Sequence, residues 1–169
     1  MPPTITIRPA CPDDQSRLST MISRSYRALL AADYDPALLR LTLPLLTVPR
    51  PQLLRSGTYF VAVDDTGRVL SAGGWTDSRP NGSPGRRGEG HVRHVATDPD
   101  HLGRGLGRRV IETAAASARA SGIDRLSCQS TLTAERFYSA LGFTSCGRVD
   151  VRLEPGLYFP SVMMQRSLV

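Results

Sequence analysis

The chain has 169 residues, enough for one domain, and its 40% hydrophobic and 21% charged residues are ordinary globular usage. That excludes a disordered chain, a collagen and a coiled coil, and no apolar run approaches the roughly 20 residues of a membrane span. The net charge is +6, and all 21 basic residues are Arg. A codon bias toward Arg explains this as well as an anionic ligand does, although Arg forks suit phosphate.

Thr4 to Arg8 alternates like a short strand. Pro12-Asp13-Asp14 opens a helix whose apolar positions Leu18, Met21, Ile22, Ser25 and Leu29 recur at helical spacing. A second helix begins after Asp35-Pro36, and Pro44, Pro49 and Pro51 are expected to end it. Thr58 to Val63 and Arg68 to Trp75, joined by Asp64-Asp65-Thr66-Gly67, read as a β-hairpin. The Gly-, Pro- and Arg-rich stretch 79–90 reads as a loop. His91 to Thr97 is a strand, and a Gly-rich turn then leads into a helix over 105–120. Leu126 to Gln129 is a strand, Thr133 to Leu141 a helix, and Thr144 to Val151 and Ser161 to Arg166 the closing strands. The order predicts a mixed α/β (α+β) sheet with helices on both faces.

The stretch richest in chemistry is Leu102-Gly103-Arg104-Gly105-Leu106-Gly107-Arg108. Its glycines leave backbone N–H groups uncovered at a helix N-terminus, and Arg104, Arg108 and Arg109 crowd a position where cations are otherwise disfavoured. Together these features make an anion site. A P-loop needs a Lys, and the dinucleotide fingerprint needs different glycine spacing, so both are excluded.

Leu102-Gly103-Arg104-Gly105-Leu106-Gly107, preceded by Thr97-Asp98-Pro99, resembles the pyrophosphate motif of the GNAT (GCN5-related) N-acetyltransferases. Leu102 replaces a frequent Gln or Arg. Ala134-Glu135-Arg136-Phe137-Tyr138, followed by Gly142-Phe143, is similar to the family's second motif. Ile7-Arg8-Pro9-Ala10 matches its usual start. Ala72-Gly73-Gly74-Trp75 resembles a subgroup of acetyltransferases without an assigned substrate.

The resemblance implies a single domain over residues 1–169 with the GNAT fold, a central mixed twisted sheet of about seven strands flanked by helices on both faces. It implies acetyl-CoA as cofactor. Val95, Ala96 and Thr97 would lie on a bulged strand along its pantetheine arm, with the Val95 N–H as oxyanion donor. Leu102 to Arg108 would hold the pyrophosphate, and Ala134, Phe137 and Tyr138 would flank it. Tyr138 would be the general acid. Resemblance to the family's histone acetyltransferases implies His91 at the place of their acidic base, with Glu89 two residues earlier on the same face and ordered water as alternatives. The expected reaction is N-acetylation of a small-molecule or protein amine by direct attack in a ternary complex, since no nucleophile stands out. The alternative is a non-catalytic acyl-CoA-binding sensor.

His91 and His94, three apart on a strand, are expected on opposite faces, so no metal site is assigned. Cys128 and Cys146 read as buried small hydrophobes. Tyr26, Tyr34, Tyr158 and Phe159 are candidate acceptor walls, and the 79–90 loop, with Arg86 and Arg87, reads either as a rim for acidic acceptors or as a solvated connector. No nucleic acid or membrane partner is expected. The last hairpin offers an edge for a homodimer. Three scattered cysteines and a start, Met1 to Ile5, without a secretory pattern fit the cytoplasm.

Overall fold

The computed structural model describes residues 3–169, so the Met1-Pro2 start lies outside the described residues. The strands are β1 (Thr6–Pro9), β2 (Tyr59–Val63), β3 (Val69–Thr76), β4 (Glu89–Thr97), β5 (Arg125–Thr131), β6 (Thr144–Glu154) and β7 (Leu157–Ser167). The helices are α1 (Gln15–Leu29), α2 (Pro36–Leu46), α3 (Pro51–Leu54), α4 (Leu106–Ala120) and α5 (Glu135–Ala140). The strands form one sheet in the order β1-β2-β3-β4-β5-β7-β6. All its pairs are antiparallel except β4 with β5.

Each face of the sheet has its own core. The predicted stripe of α1, with Leu18, Met21, Ile22 and Ser25 buried, packs with Leu54, Tyr59 and Val61 on one face. On the other, α4 presents Ile111, Ala114, Ala115 and Ala118 to Trp75, Val92 and Leu126. The small alanines let the helix lie close to the strands. A third cluster ties α2 to β7 through Tyr34, Leu39, Leu43 and Phe159.

Pro44 does not end α2; it sits inside the helix, which runs on to Leu46. Burial of Leu39 and Leu43 holds the turn around it. Strand β7 starts at Leu157, four residues before the predicted Ser161, and includes Pro160. Pairing with β5 begins only at Ser161, so at Pro160 one edge of β7 is free and the missing N–H has room to face it. Cys128 is buried as expected, but Cys146 is exposed, because β6 is the outer strand and bulges between Ser145 and Arg148. No helix among the described residues is long and apolar enough to cross a membrane.

Candidate active site

Two irregularities in β4 shape the centre of the molecule. First, β4 pairs with β5 only from Glu89 to His91, against Arg125 to Ser127. Beyond His91 the two parallel strands part. Second, β4 carries an extra residue where Arg93 pairs with Gly74 and Ala96 with Ala72. There His94 takes φ 40°, the only non-glycine residue with positive φ among the described residues. This is a β-bulge, and it re-aims the side chains that follow.

The bulge overturns the expected alternation. His94 stands beside Leu46 and Arg50, and its neighbour Arg93 also faces Arg50. His94 therefore joins the face of Arg93, which β alternation shares with His91. Burial first, then Arg93, pushes the His94 imidazole down to about 4, so it is neutral near pH 7.

Both carbonyls at the bulge are engaged. Tyr59 Oη donates to His94 O at 2.7 Å and Tyr26 Oη to Val95 O at 3.3 Å. Tyr138 and Cys128 close the same group of side chains. The Tyr138 ring packs edge-on against Phe137 and Phe143, with centroids 5.1 and 5.3 Å away. Burial, with Cys128 and Tyr26 beside it, raises the Tyr138 phenol well above its ordinary value. Burial also pushes the Cys128 thiol up to about 12. Neither group ionises near neutrality.

Strand β4 runs into the glycine turn. Gly105, with φ 75°, is the left-handed residue that starts α4. Arg109 N–H closes the first helical bond on Gly105 O at 3.0 Å, leaving the Leu106 to Arg108 amides without an intrahelical partner. No acidic residue occupies the first turn. Nothing lies within 4 Å of where a Cβ on Gly103 or Gly105 would stand. Arg104 and Arg108 are exposed around this open space, and so is Leu102. Gly107 differs, because a Cβ there would meet the Phe137 ring at 2.9 Å.

Asp98 anchors the turn, a role its sequence position does not announce. It is 1% exposed and accepts from Arg24 at 2.6 Å, Arg68 at 2.9 Å and the Asp100 amide at 2.9 Å. Burial works to raise its pKa, but these donors and His101 outweigh it and hold the carboxylate below its usual range. The turn is thereby pinned to both α1 and the β2–β3 hairpin.

At the other end of β4, Glu89 Oε1 accepts from Ser127 Oγ at 2.7 Å and lies 3.8 Å from His91 Nε2. Glu89 and His91 share a face as expected. His91 is 5% exposed, and its Nε2 has no hydrogen-bond partner. The β3–β4 loop covers it, for a Cβ on Gly85 would approach that nitrogen to 3.2 Å. Burial lowers the His91 pKa more than Glu89 raises it.

The expected acceptor walls divide. Tyr34 stacks on Phe159 at 4.4 Å, donates to Pro160 O at 2.6 Å and accepts from Leu132 N–H at 2.8 Å. Those two rings stitch the fold together. Tyr158 is exposed, and Tyr26 turns to the bulge. Arg86 and Arg87 are exposed on the loop, whereas a cavity of about 490 Å³ beside β4 is lined by Arg50, Arg79 and Arg93 instead. No cluster of three His, Cys, Asp or Glu side chains able to hold a metal occurs among the described residues.

Residues 55–145 match the family model described as an acetyltransferase (GNAT) domain. The chain belongs to the GNAT family. GNAT acetyltransferases use acetyl-CoA. No curated protein sequence matches the chain. The fold is that of solved GNAT structures. A GCN5-related N-acetyltransferase from Rhodopseudomonas palustris is 19% identical, with TM-score 0.79 over 97% of this chain and 96% of that one. A GNAT-family acetyltransferase from Staphylococcus aureus is 16% identical, with TM-score 0.71 over 98% and 100%. PaiA N-acetyltransferase from Thermoplasma acidophilum, crystallised with coenzyme A, is 12% identical, with TM-score 0.72 over 97% and 99%. The GNAT assignment accounts for a parted, bulged β4 running into an open glycine turn.

Proposed function

We propose that this chain is one catalytic domain that moves an acetyl group from acetyl-CoA to a primary amine of a small molecule or protein. The amine attacks directly while both substrates are bound. The observation that carries this reading is the course of β4. It parts from β5 after His91, bulges at His94 and ends in a turn whose amides have no partners. An extended chain fits along the freed edge of β4, and a pyrophosphate fits the open turn.

In this reading the backbone of Val95, Ala96 and Thr97 pairs with the pantetheine arm. Gly103 to Arg108 cradle the pyrophosphate through N–H groups and Arg104 and Arg108. Leu102 contributes backbone alone, and Ala134 and Phe137 flank the pyrophosphate, the Phe137 ring lying against Gly107 of the turn. Acetyl-CoA supplies an activated thioester. The Val95 N–H is the donor for the carbonyl oxygen under attack. Tyr138, kept protonated by burial, gives its proton to the departing sulfur. His91, neutral near pH 7 with a free buried Nε2, takes the proton of the incoming ammonium. Glu89 and water are the competing acceptors. Holding the two reactants in one geometry supplies much of the rate. The Cys128 thiol, raised to about 12, is no nucleophile at neutral pH, which favours direct attack over an acyl-enzyme. A reducing cytoplasm suits three free cysteines.

The test is calorimetric titration with acetyl-CoA, followed in the same sample by thiol release against a panel of amines. Binding with amine-dependent release supports the reading. Absence of binding overturns it, because the turn would then not be a cofactor site.

A further inference from the structure

The cavity of about 490 Å³ lies between the start of α3, the end of β3 and the loop after it, and β4. That volume suits a small molecule. Three guanidinium groups line it, from Arg50, Arg79 and Arg93. None of the three forms an ion pair among the described residues, although six other arginines do. Arg93 is the most enclosed of them. Its Nη1 donates to Thr76 Oγ1 at 3.1 Å, and Arg50 stands close enough to disfavour its charge. Asp77 is the acid in the lining, and it pairs with none of them.

Arg93 is half-buried and Arg50 and Arg79 are exposed, and an anion seated among them would offset the mutual repulsion of the three like charges. Two Arg forks can hold a carboxylate or a phosphate in bidentate fashion. The place matters as much as the charge. Arg93 immediately precedes His94, whose backbone forms the bulge. The cavity therefore shares its wall strand with the centre where the acyl group is transferred. Arg86 and Arg87, the basic pair most visible in the sequence, are outside its lining.

We propose that this cavity binds the anionic group, carboxylate or phosphate, of the acceptor, which is therefore a small amine with negative charge at the end remote from its nitrogen. The proposal rests on the acetyl-transfer reading, because it makes the cavity the acceptor side of the same centre. Arg93 and Arg50 bind the anion directly. Cationic polyamines are rejected by the same three charges.

The experiment uses the full chain saturated with coenzyme A, so that the glycine turn is already filled. Succinate and inorganic phosphate are titrated separately by calorimetry at constant ionic strength. At least one is expected to bind, and Arg93→Gln and Arg50→Gln are each expected to weaken it roughly tenfold, the size of one charge-assisted hydrogen bond. Gln keeps a polar side chain at position 93, and Arg50 is exposed, so the second variant preserves the test if the first unfolds. Succinate binding alone identifies a carboxylate acceptor, and phosphate binding alone a phosphorylated one. The binding anion is also expected to inhibit thiol release competitively against the accepted amine. Failure of both anions to bind, unchanged binding in the variants, or non-competitive inhibition overturns the proposal. Failure of coenzyme A itself to bind defeats the acetyl-transfer reading instead, and is seen before any anion is added.

Discussion

The Phe137 ring stands where a side chain on Gly107 would go, with Cε1 2.9 Å and Cζ 3.0 Å from an ideal Cβ. The two sequence motifs are thus one mechanical unit. The first turn of α4 rests on the residue that precedes Tyr138, so the glycine turn and the phenol share one support. Gly107→Ala is expected to push α4 away from α5. Overpacking of this kind costs about 1–3 kcal/mol, and acetyl-CoA binding should weaken with it. Gly122→Ala is the control: it also carries strain, at φ 82°, but nothing lies within 4 Å of its Cβ, and it is at the far end of α4. Urea unfolding and calorimetry on both variants check this. An unchanged acetyl-CoA affinity in Gly107→Ala would show the two motifs to be independent.

Tyr138→Phe removes the hydroxyl and keeps the ring, so the edge-on contacts with Phe137 and Phe143 remain. Loss of a positioned proton donor typically costs 10²–10⁴-fold, so kcat is expected to fall by roughly that much. Acetyl-CoA affinity should change by less than about twofold, since binding rests on the backbone of β4 and the turn. Steady-state kinetics beside calorimetry separate the two. A kcat equal to that of the wild type would assign the proton to water or another group.

Much of this was legible in the sequence for a physical reason. A glycine turn at a helix start and a Phe-Tyr pair on a short helix are local signals, set by neighbouring residues. The bulge was not legible locally. His94 is a non-glycine residue at φ 40°, a conformation only tertiary contacts can hold, here Tyr59 reaching its carbonyl from 35 residues away. The same holds for Asp98, whose anchoring role depends on Arg24 and Arg68 converging on it from distant segments. The arginine cavity is longer-range still, since Arg50, Arg79 and Arg93 come from three separate segments. Of the basic loop 79–90, Arg79 lines the cavity and Arg86 and Arg87 do not, a division that the loop's composition does not determine. Pro160 misplaced a strand start because its missing N–H has a free edge to face, whereas Pro44 forfeits the helical bond to Arg40 and α2 runs on because Leu39 and Leu43 are buried around it.

Asp14 gives the chain an acid-sensitive joint. Its carboxylate is fully buried and accepts from Arg8 Nη1 and Nη2 at 2.8 and 2.9 Å and from Cys11 N–H at 2.9 Å. The Arg8 guanidinium leads, the Cys11 amide adds to it, and together they overcome burial and bring Asp14 down to about 2. A carboxyl depressed in the folded state stabilises it above the unfolded pKa, near 4. That contribution disappears as pH falls from about 4 through about 2. Its size is on the order of 2 kcal/mol. Urea unfolding of the wild type at pH 7 and pH 3 should show the loss. Asp14→Asn should be less stable at pH 7, and its stability should vary less with pH over that interval. Parallel pH profiles for the two proteins would remove Asp14 from the account.

His91 is tested through the pH dependence of turnover. Burial lowers its pKa below the ordinary 6.5, and Glu89 at 3.8 Å opposes that only in part. A proton acceptor works in its neutral form, so activity should rise with pH through a value below 6.5 and then level off. His91→Gln keeps the side chain polar but cannot take a proton. The variant is expected to lose roughly 10²-fold or more in kcat near neutrality and to lose that acid limb. Glu89→Gln separates the neighbouring carboxylate: without its negative charge the wild-type limb should move to lower pH, with His91 still active. Retention of the limb in His91→Gln would transfer the role to Glu89 or to water. Loss of both activity and the acid limb in Glu89→Gln, with the limb retained in His91→Gln, would make Glu89 itself the proton acceptor.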